Sequence, residues 1–312
     1  MKRLLSTFAA LSISASVWAA QPLLTPTELN ANLAQPNIRV IDIRDPKSYS
    51  EGHVQGAVNV PYGQWRGPTS NPGELPDLKV LTKLVQSIGL EPQTHAVIVS
   101  SGANDTDFGS AARIYWTLRV LGLSDLSILN GGMKAWQAAS LPVETGTVTV
   151  AASTFEPSIN QNLITTRDQL VSGTGSVRAL LVDARPEAFY KGETRHTAAK
   201  VAGTLEGAVN IPHSIWFKPG TSELVSREQA VSLAQQHGLT KTNEEVVSFC
   251  NTGHWAATNW FVLSELVGDK NVKMYAGSMV DWTQADQALP VKNAPGRFKQ
   301  LWMDTKLWME TL

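Results

Sequence analysis

Two stretches of this chain say the same thing twice, and that repeat limits the fold more than any other feature. Val40-Ile41-Asp42-Ile43-Arg44 returns as Leu181-Val182-Asp183-Ala184-Arg185. Gly56-Ala57-Val58-Asn59-Val60-Pro61 returns as Gly207-Ala208-Val209-Asn210-Ile211-Pro212, and Trp65 keeps the same spacing to become Trp216. Ser87-Ile88-Gly89-Leu90 pairs with Gln236-His237-Gly238-Leu239, and Val97-Ile98-Val99 with Val246-Val247-Ser248. Gly131-Gly132 through Trp136 pairs with Gly277-Ser278 through Trp282. So many matches in one order predict two domains of one design, and 312 residues are enough for two of ordinary size.

Each copy alternates strand and helix signals. Short, continuous, β-branched runs lie at 38–43, 96–100 and 126–129, and again at 180–184, 245–249 and 272–275. Such runs suit strands buried on both faces. Thr25-Pro26-Thr27-Glu28 is a capping box with proline at the first helical position. Thr166 with Gln169 and Ser226 with Gln229 repeat that spacing. The expected fold class is α/β, with two tandem domains, each a mainly parallel sheet flanked by helices. The stretch from about 140 to 162 carries Pro142, Pro157 and little helical period, and reads as an inter-domain linker.

The amino terminus reads as a secretory signal. Lys2 and Arg3 precede an apolar, small-residue segment from Leu4 to Val17, and Val17-Trp18-Ala19 is a cleavage site. The expected product starts near Ala20, lies in the periplasm and has no membrane segment after cleavage. A net charge of −1 argues against nucleic acid or an anionic membrane as the main partner.

Export sharpens the meaning of the one cysteine, Cys250. Exported thiols usually pair, and a single one can form neither an internal disulfide nor a Cys-rich zinc site. Cys250 ends an apolar run, and the loop Asn251-Thr252-Gly253-His254 separates it from a helix-like stretch, Trp255 to Leu266. Ligands belong at the carboxyl ends of parallel strands, and a thiol before a helix faces free N–H groups that favour thiolate. Gly253 permits an anion-binding nest, and Asn251 and Thr252 offer side-chain hydrogen bonds. His254 reads either as a cation that lowers the thiol pKa or as a solvent-facing loop histidine. Trp255 and Trp260 read as packing or as a wall to the pocket. Counted from the paired runs, Cys250 aligns with Ser101, so only one copy has the thiol.

Arg185 follows the strand that ends at Asp183 and is expected on the same rim as Cys250, where its fork would bind an oxyanion. Arg44 is its counterpart, and Asp42 and Asp183 read as residues that orient these arginines. Lys191, Arg195 and His196 lie in an insertion of the second copy; they either enclose the site or are solvated surface charge.

The combination of Asp-x-Arg, Gly52-His53-Val54 through Pro61, a strand-Cys-loop-helix and Gly-Gly-x-x-x-Trp resembles the rhodanese family of sulfurtransferases. The chain is divided into a signal peptide at 1–19, a first domain at 20–140, a linker at 141–162, a second domain at 163–291 and a tail at 292–312, and the resemblance implies that the first domain is inactive and the second catalytic. It implies that Cys250 takes sulfane sulfur from thiosulfate or 3-mercaptopyruvate as a persulfide, held by loop N–H groups. The sulfur then passes to cyanide, a thiol or a protein acceptor, with no cofactor and no metal. Arg185, Asn251, Thr252, Gly253 and His254 would bind the small anionic donor. A carrier that accepts persulfide from a dedicated periplasmic partner is the alternative. Cys-based phosphatases need an arginine where this chain has Ala256, which sets them aside.

Overall fold

The computed structural model describes residues 21–173, 179–240 and 244–309. The expected signal segment, 1–19, lies outside them. Among the described residues no helix is long and apolar enough to cross a membrane.

The first sheet contains β1 (Leu23–Leu24), β2 (Ile38–Asp42), β4 (Val58–Asn59), β5 (His95–Val99) and β6 (Leu126–Leu129), in the order β1-β6-β5-β2-β4. All its neighbours are parallel. β3 (His53–Val54) and β7 (Val143–Glu144) form a small antiparallel pair. The second sheet contains β8 (Ala179–Asp183), β9 (Val209–Asn210), β10 (Glu245–Phe249) and β11 (Val272–Met274), in the parallel order β11-β10-β8-β9. The three capping boxes form as the spacing predicts.

Both faces of each sheet are covered, because successive strand residues serve different cores. Val40, Val97 and Val99 face one core of the first domain, while Ile41 and Ile98 face another. Along β10 and the residue after it, Val247 and Phe249 face one core, whereas Val246 and Cys250 join the second. That second core is common to both domains. The helices Asp105–Val120 and Trp255–Phe261, which follow the corresponding strands, pack together within it. Phe108 meets Phe217 and Phe261 edge-on at 5.6 Å. Gly109 allows this approach, since a Cβ there would lie 2.9 Å from the His254 ring. Trp65, Trp116, Trp136, Trp216 and Trp260 are fully buried; truncating any one to alanine should cost about 3–5 kcal/mol.

The segment 141–162 does not run free between the domains. Pro142 accepts a bond from Trp136 Nε1 at 2.9 Å, Val143–Glu144 pairs with β3, and Val148, Val150, Phe155 and Ile159 pack on the shared core. The second domain repeats this closure: Pro290 accepts from Trp282 Nε1 at 2.9 Å and Lys292 bridges Thr204. The tail continues as a helix, Arg297–Met309, held by Arg195 to Asp304 at 2.9 Å.

Candidate active site

Cys250 follows β10 directly and is 1% exposed. Its N–H donates to Ser278 Oγ at 3.0 Å, and the Gly253 N–H donates to the same oxygen at 3.2 Å. The Ser278 hydroxyl donates in turn to the Tyr275 carbonyl at 2.8 Å. Ser278 sits at φ 55°, matching the φ of 56° at Gly132 in the first domain. A side chain in that left-handed region is strained by roughly 1–3 kcal/mol. Its oxygen offsets this by tying both ends of the loop. The repeat had paired Ser278 with a glycine, and that mismatch was the available signal for it.

Strand register corrects the counterpart of Cys250. Asp42 pairs with Val99, and Asp183 pairs with Phe249. The Met133 N–H donates to the Ser100 carbonyl as the Met279 N–H donates to that of Cys250. Ser100, not Ser101, therefore stands where Cys250 stands, and Ser101 matches Asn251. A uniform apolar run has nothing inside it to mark its register, so a slip of one residue goes unseen. The thiol is still present in one domain only.

Arg185 does not offer an open fork. Its Nε and Nη2 grip Asp183, with Nη2 to Oδ2 at 2.6 Å, and Nη2 also donates to the Gly203 carbonyl at 2.7 Å. Nη1 donates to Asn251 Oδ1 at 3.3 Å. Thr204 completes the carboxylate's bonds through its hydroxyl at 2.7 Å. The buried Asp183 draws in the nearest cation, so Arg185 fixes the loop through Asn251 instead of reaching outward. Arg44 repeats the grip on Asp42 and the Gly52 carbonyl.

His254 is not a cation. Its Nε2–H donates to the Thr106 carbonyl at 2.7 Å, so Nδ1 accepts the Tyr62 hydroxyl at 2.9 Å. Burial, helped by Arg66, pushes its pKa down to about 3, which leaves it neutral. The positive charges come from the first domain. Arg66 Nη2 donates to the Thr252 carbonyl at 2.8 Å, and Nη1 donates to the Tyr62 hydroxyl at 2.9 Å. Arg113 Nη1 reaches the Thr252 and Gly253 carbonyls, each at 3.4 Å. Gly253 has φ 68°, and a Cβ there would fall on Arg113 Nη1 and the Ala276 carbonyl. Tyr62, Arg66 and Arg113 escaped the sequence reading because they lie in the other domain, and nothing local links them to Cys250.

The remaining candidates separate. Lys191 pairs with Glu187 on the surface, and Arg195 anchors the tail helix. His196 lies within the field of Arg66, which, after burial, lowers its pKa. Trp255 stacks on His213 with centroids 5.1 Å apart, and Trp260 is core. Among the described residues the N–H groups of Asn251, Thr252, His254 and Trp255 make no hydrogen bond. These open donors all lie within five residues of Cys250.

The model of the rhodanese-like domain matches residues 25–139 and again 166–285. The thiosulfate sulfurtransferase of Azotobacter vinelandii is 30% identical over 267 residues, covering 85% of this chain and 95% of that protein. That of Pseudomonas aeruginosa is 30% identical over 270 residues, covering 86% and 96%. Among solved structures, the 3-mercaptopyruvate sulfurtransferase SseA of Escherichia coli superposes with a TM-score of 0.69 at 25% identity. The match covers 83% of this chain and 99% of SseA.

Proposed function

This chain belongs to the rhodanese family and is a sulfurtransferase, and from that premise we propose that it carries sulfur as a persulfide on Cys250. The Cys250 thiolate attacks the outer sulfur of thiosulfate. The bond between the two donor sulfurs breaks, and sulfite leaves with its electron pair. Cys250 then holds Sγ–S⁻ until cyanide or a thiolate attacks the outer sulfur and Cys250 leaves as thiolate. Each step moves one electron pair, so no cofactor or outside oxidant enters. 3-Mercaptopyruvate is the second donor of this reading, with pyruvate as its leaving product.

The observation that carries the proposal is the open row of N–H donors at Asn251, Thr252, His254 and Trp255 beside the chain's one thiol. Such a row stabilises an anionic sulfur as an oxyanion hole stabilises an oxygen. The family relatives named for thiosulfate support that donor. Asn251 and Thr252 bring no charge of their own, so donor charge is met by the field of the first-domain arginines. The reading extends to a cleaved signal at 1–19 and a periplasmic enzyme, which an amino terminus near Ala20 on the exported protein would test.

Cys250→Ser should abolish transfer with either donor while the protein stays folded. Turnover above a few per cent of wild type in that variant would sink the mechanism. Mass spectrometry of wild type treated with donor should show an adduct of about +32 Da on Cys250, one sulfur. That adduct without turnover would instead favour the carrier role.

A further inference from the structure

Arg66 and Arg113 carry charges that no acid balances. Among the described residues neither forms an ion pair. Arg113 is fully buried, its Nε has no hydrogen-bond partner, and its Nη2 donates to the Gly73 carbonyl at 2.8 Å. Each guanidinium lies over a ring, Arg66 on Tyr62 at 5.2 Å and Arg113 on Trp116 at 5.0 Å. Rings and carbonyls soften an unpaired charge but do not cancel it. A buried cation without a carboxylate calls for another anion.

Cys250 is that anion once ionised. Its charge raises the pKa of both Arg113 and Tyr62, which places the sulfur within electrostatic reach of Arg113 and of the ring that Arg66 covers. The other groups around the loop do not compete. Asp183 is neutralised by Arg185, and Asp281 is held by Arg167 and the Tyr275 hydroxyl. His254 is neutral, and burial keeps His213 and His196 below the ordinary histidine range. Arg113, though lowered to about 9 chiefly by burial, stays charged at neutral pH.

The carbonyl bonds have a geometric consequence. In a trans peptide the C=O and the next N–H point in opposite directions. Drawing the Gly253 carbonyl toward Arg113 turns the His254 N–H the other way, and drawing the Thr252 carbonyl turns the Gly253 N–H to Ser278. With the Gly253 carbonyl released its oxygen could take the place of the open His254 N–H, and with the Thr252 carbonyl released the Gly253 N–H would lose its place on Ser278.

Resting on the reading of Cys250 as the sulfur carrier, we propose that Arg66 and Arg113 are positioning residues for the transfer. They hold the loop's carbonyls away from the sulfur, and they supply the counter-charge for the thiolate and persulfide. The domain without the thiol is thereby part of the catalytic electrostatics.

The test uses the full mature chain as wild type, Arg66→Met and Arg113→Lys, with thermal unfolding to show that each is folded. Two pH profiles are read: iodoacetamide alkylation of Cys250, and kcat/KM for thiosulfate. In Arg66→Met the acid limb of both profiles should move up by about one pH unit, with roughly tenfold lower kcat/KM below the limb. In Arg113→Lys the charge remains but the fork is lost. Its limb should stay near wild type while kcat falls about tenfold or more, as for a lost transition-state contact. An unmoved limb in folded Arg66→Met overturns the counter-charge role. Wild-type kcat in folded Arg113→Lys overturns the carbonyl clamp. The alkylation profile needs no donor, so it decides the counter-charge even if wild type forms no +32 Da adduct, the result that would remove the carrier reading itself.

Discussion

The loops at 100–104 and 250–254 share a scaffold and differ in how their N–H groups are satisfied. In the first domain the Gly102 N–H donates to Asp107 Oδ2 at 2.6 Å, and the Ala103 N–H donates to Ser101 Oγ at 3.2 Å. The Asp107 N–H is capped by Asn104 Oδ1 at 3.0 Å. That loop fills its own nest, with the Asp107 carboxylate as an internal anion at the start of a 16-residue helix. In the second domain the equivalent helix has no acid in its first turn. Its loop leaves donors open and is steadied from outside, by Ser278 on one side and by Arg66 and Arg113 on the other. The comparison teaches that the two copies differ in more than the thiol. In the first loop the bonded donors, Gly102 and Ala103, are met from within the loop and its helix, whereas in the second they are met by Ser278 from outside.

The strongest way to break this comparison is to move the thiol. In a Cys250→Ser background, Ser100→Cys should leave turnover at least about a thousandfold below wild type, since a thiolate there meets an occupied nest and an aspartate. Recovered turnover would show that position alone suffices. Next in size is the arginine pair. Arg185→Ala should lower stability by about 3–5 kcal/mol because it strands the buried Asp183 carboxylate, and Arg44→Ala should cost less because that side chain is 10% exposed. Urea unfolding measures both, and a change confined to donor KM in folded Arg185→Ala would return that arginine to the donor site. The left-handed corner is third. Ser278→Ala should cost about 1–3 kcal/mol by leaving the Cys250 and Gly253 N–H groups without their oxygen. Gly132→Ser should also destabilise, because a Cβ there meets the Ser100 carbonyl at 2.5 Å. Equal melting temperatures for wild type and Gly132→Ser would mean the two corners are interchangeable.

The smallest effect concerns pH. His254 is neutral in the fold with a pKa near 3, against an unfolded value near 6.5. Its contribution is present above the unfolded value and is lost as pH falls from about 6.5 toward 3, since the unfolded chain then binds the proton first. His254→Gln should flatten the fall in melting temperature across that window. A slope equal to wild type would mean that other groups set the acid limit.

Much of the scaffold was legible. The strands, the alternation of β and α, and the three capping boxes follow from periods and spacings that act within a few residues. The lone thiol at a strand end was also legible, because chemistry and position coincide there. Other features were not. A loop histidine beside a cysteine looks like a cation until Tyr62 and Thr106 are seen to bury it. Arg185 looks like an anion fork until Asp183 is seen to occupy it. Residues 141–162 look like a linker because proline and threonine hide a packing role that only the neighbouring core reveals.

By itself the sequence determined that there are two copies of one α/β unit and that one of them bears the thiol. Both follow from local pattern: apolar period selects strands and helices, and a repeat of that pattern repeats the fold. The tertiary structure decided which charges surround Cys250, which serine is its counterpart, and which oxygen holds its loop. Those depend on pairings between residues far apart in the chain, where burial sets the cost of an unmatched charge and close packing sets the register. The arginines that bond the loop carbonyls beside the one thiol belong to the domain that lacks it.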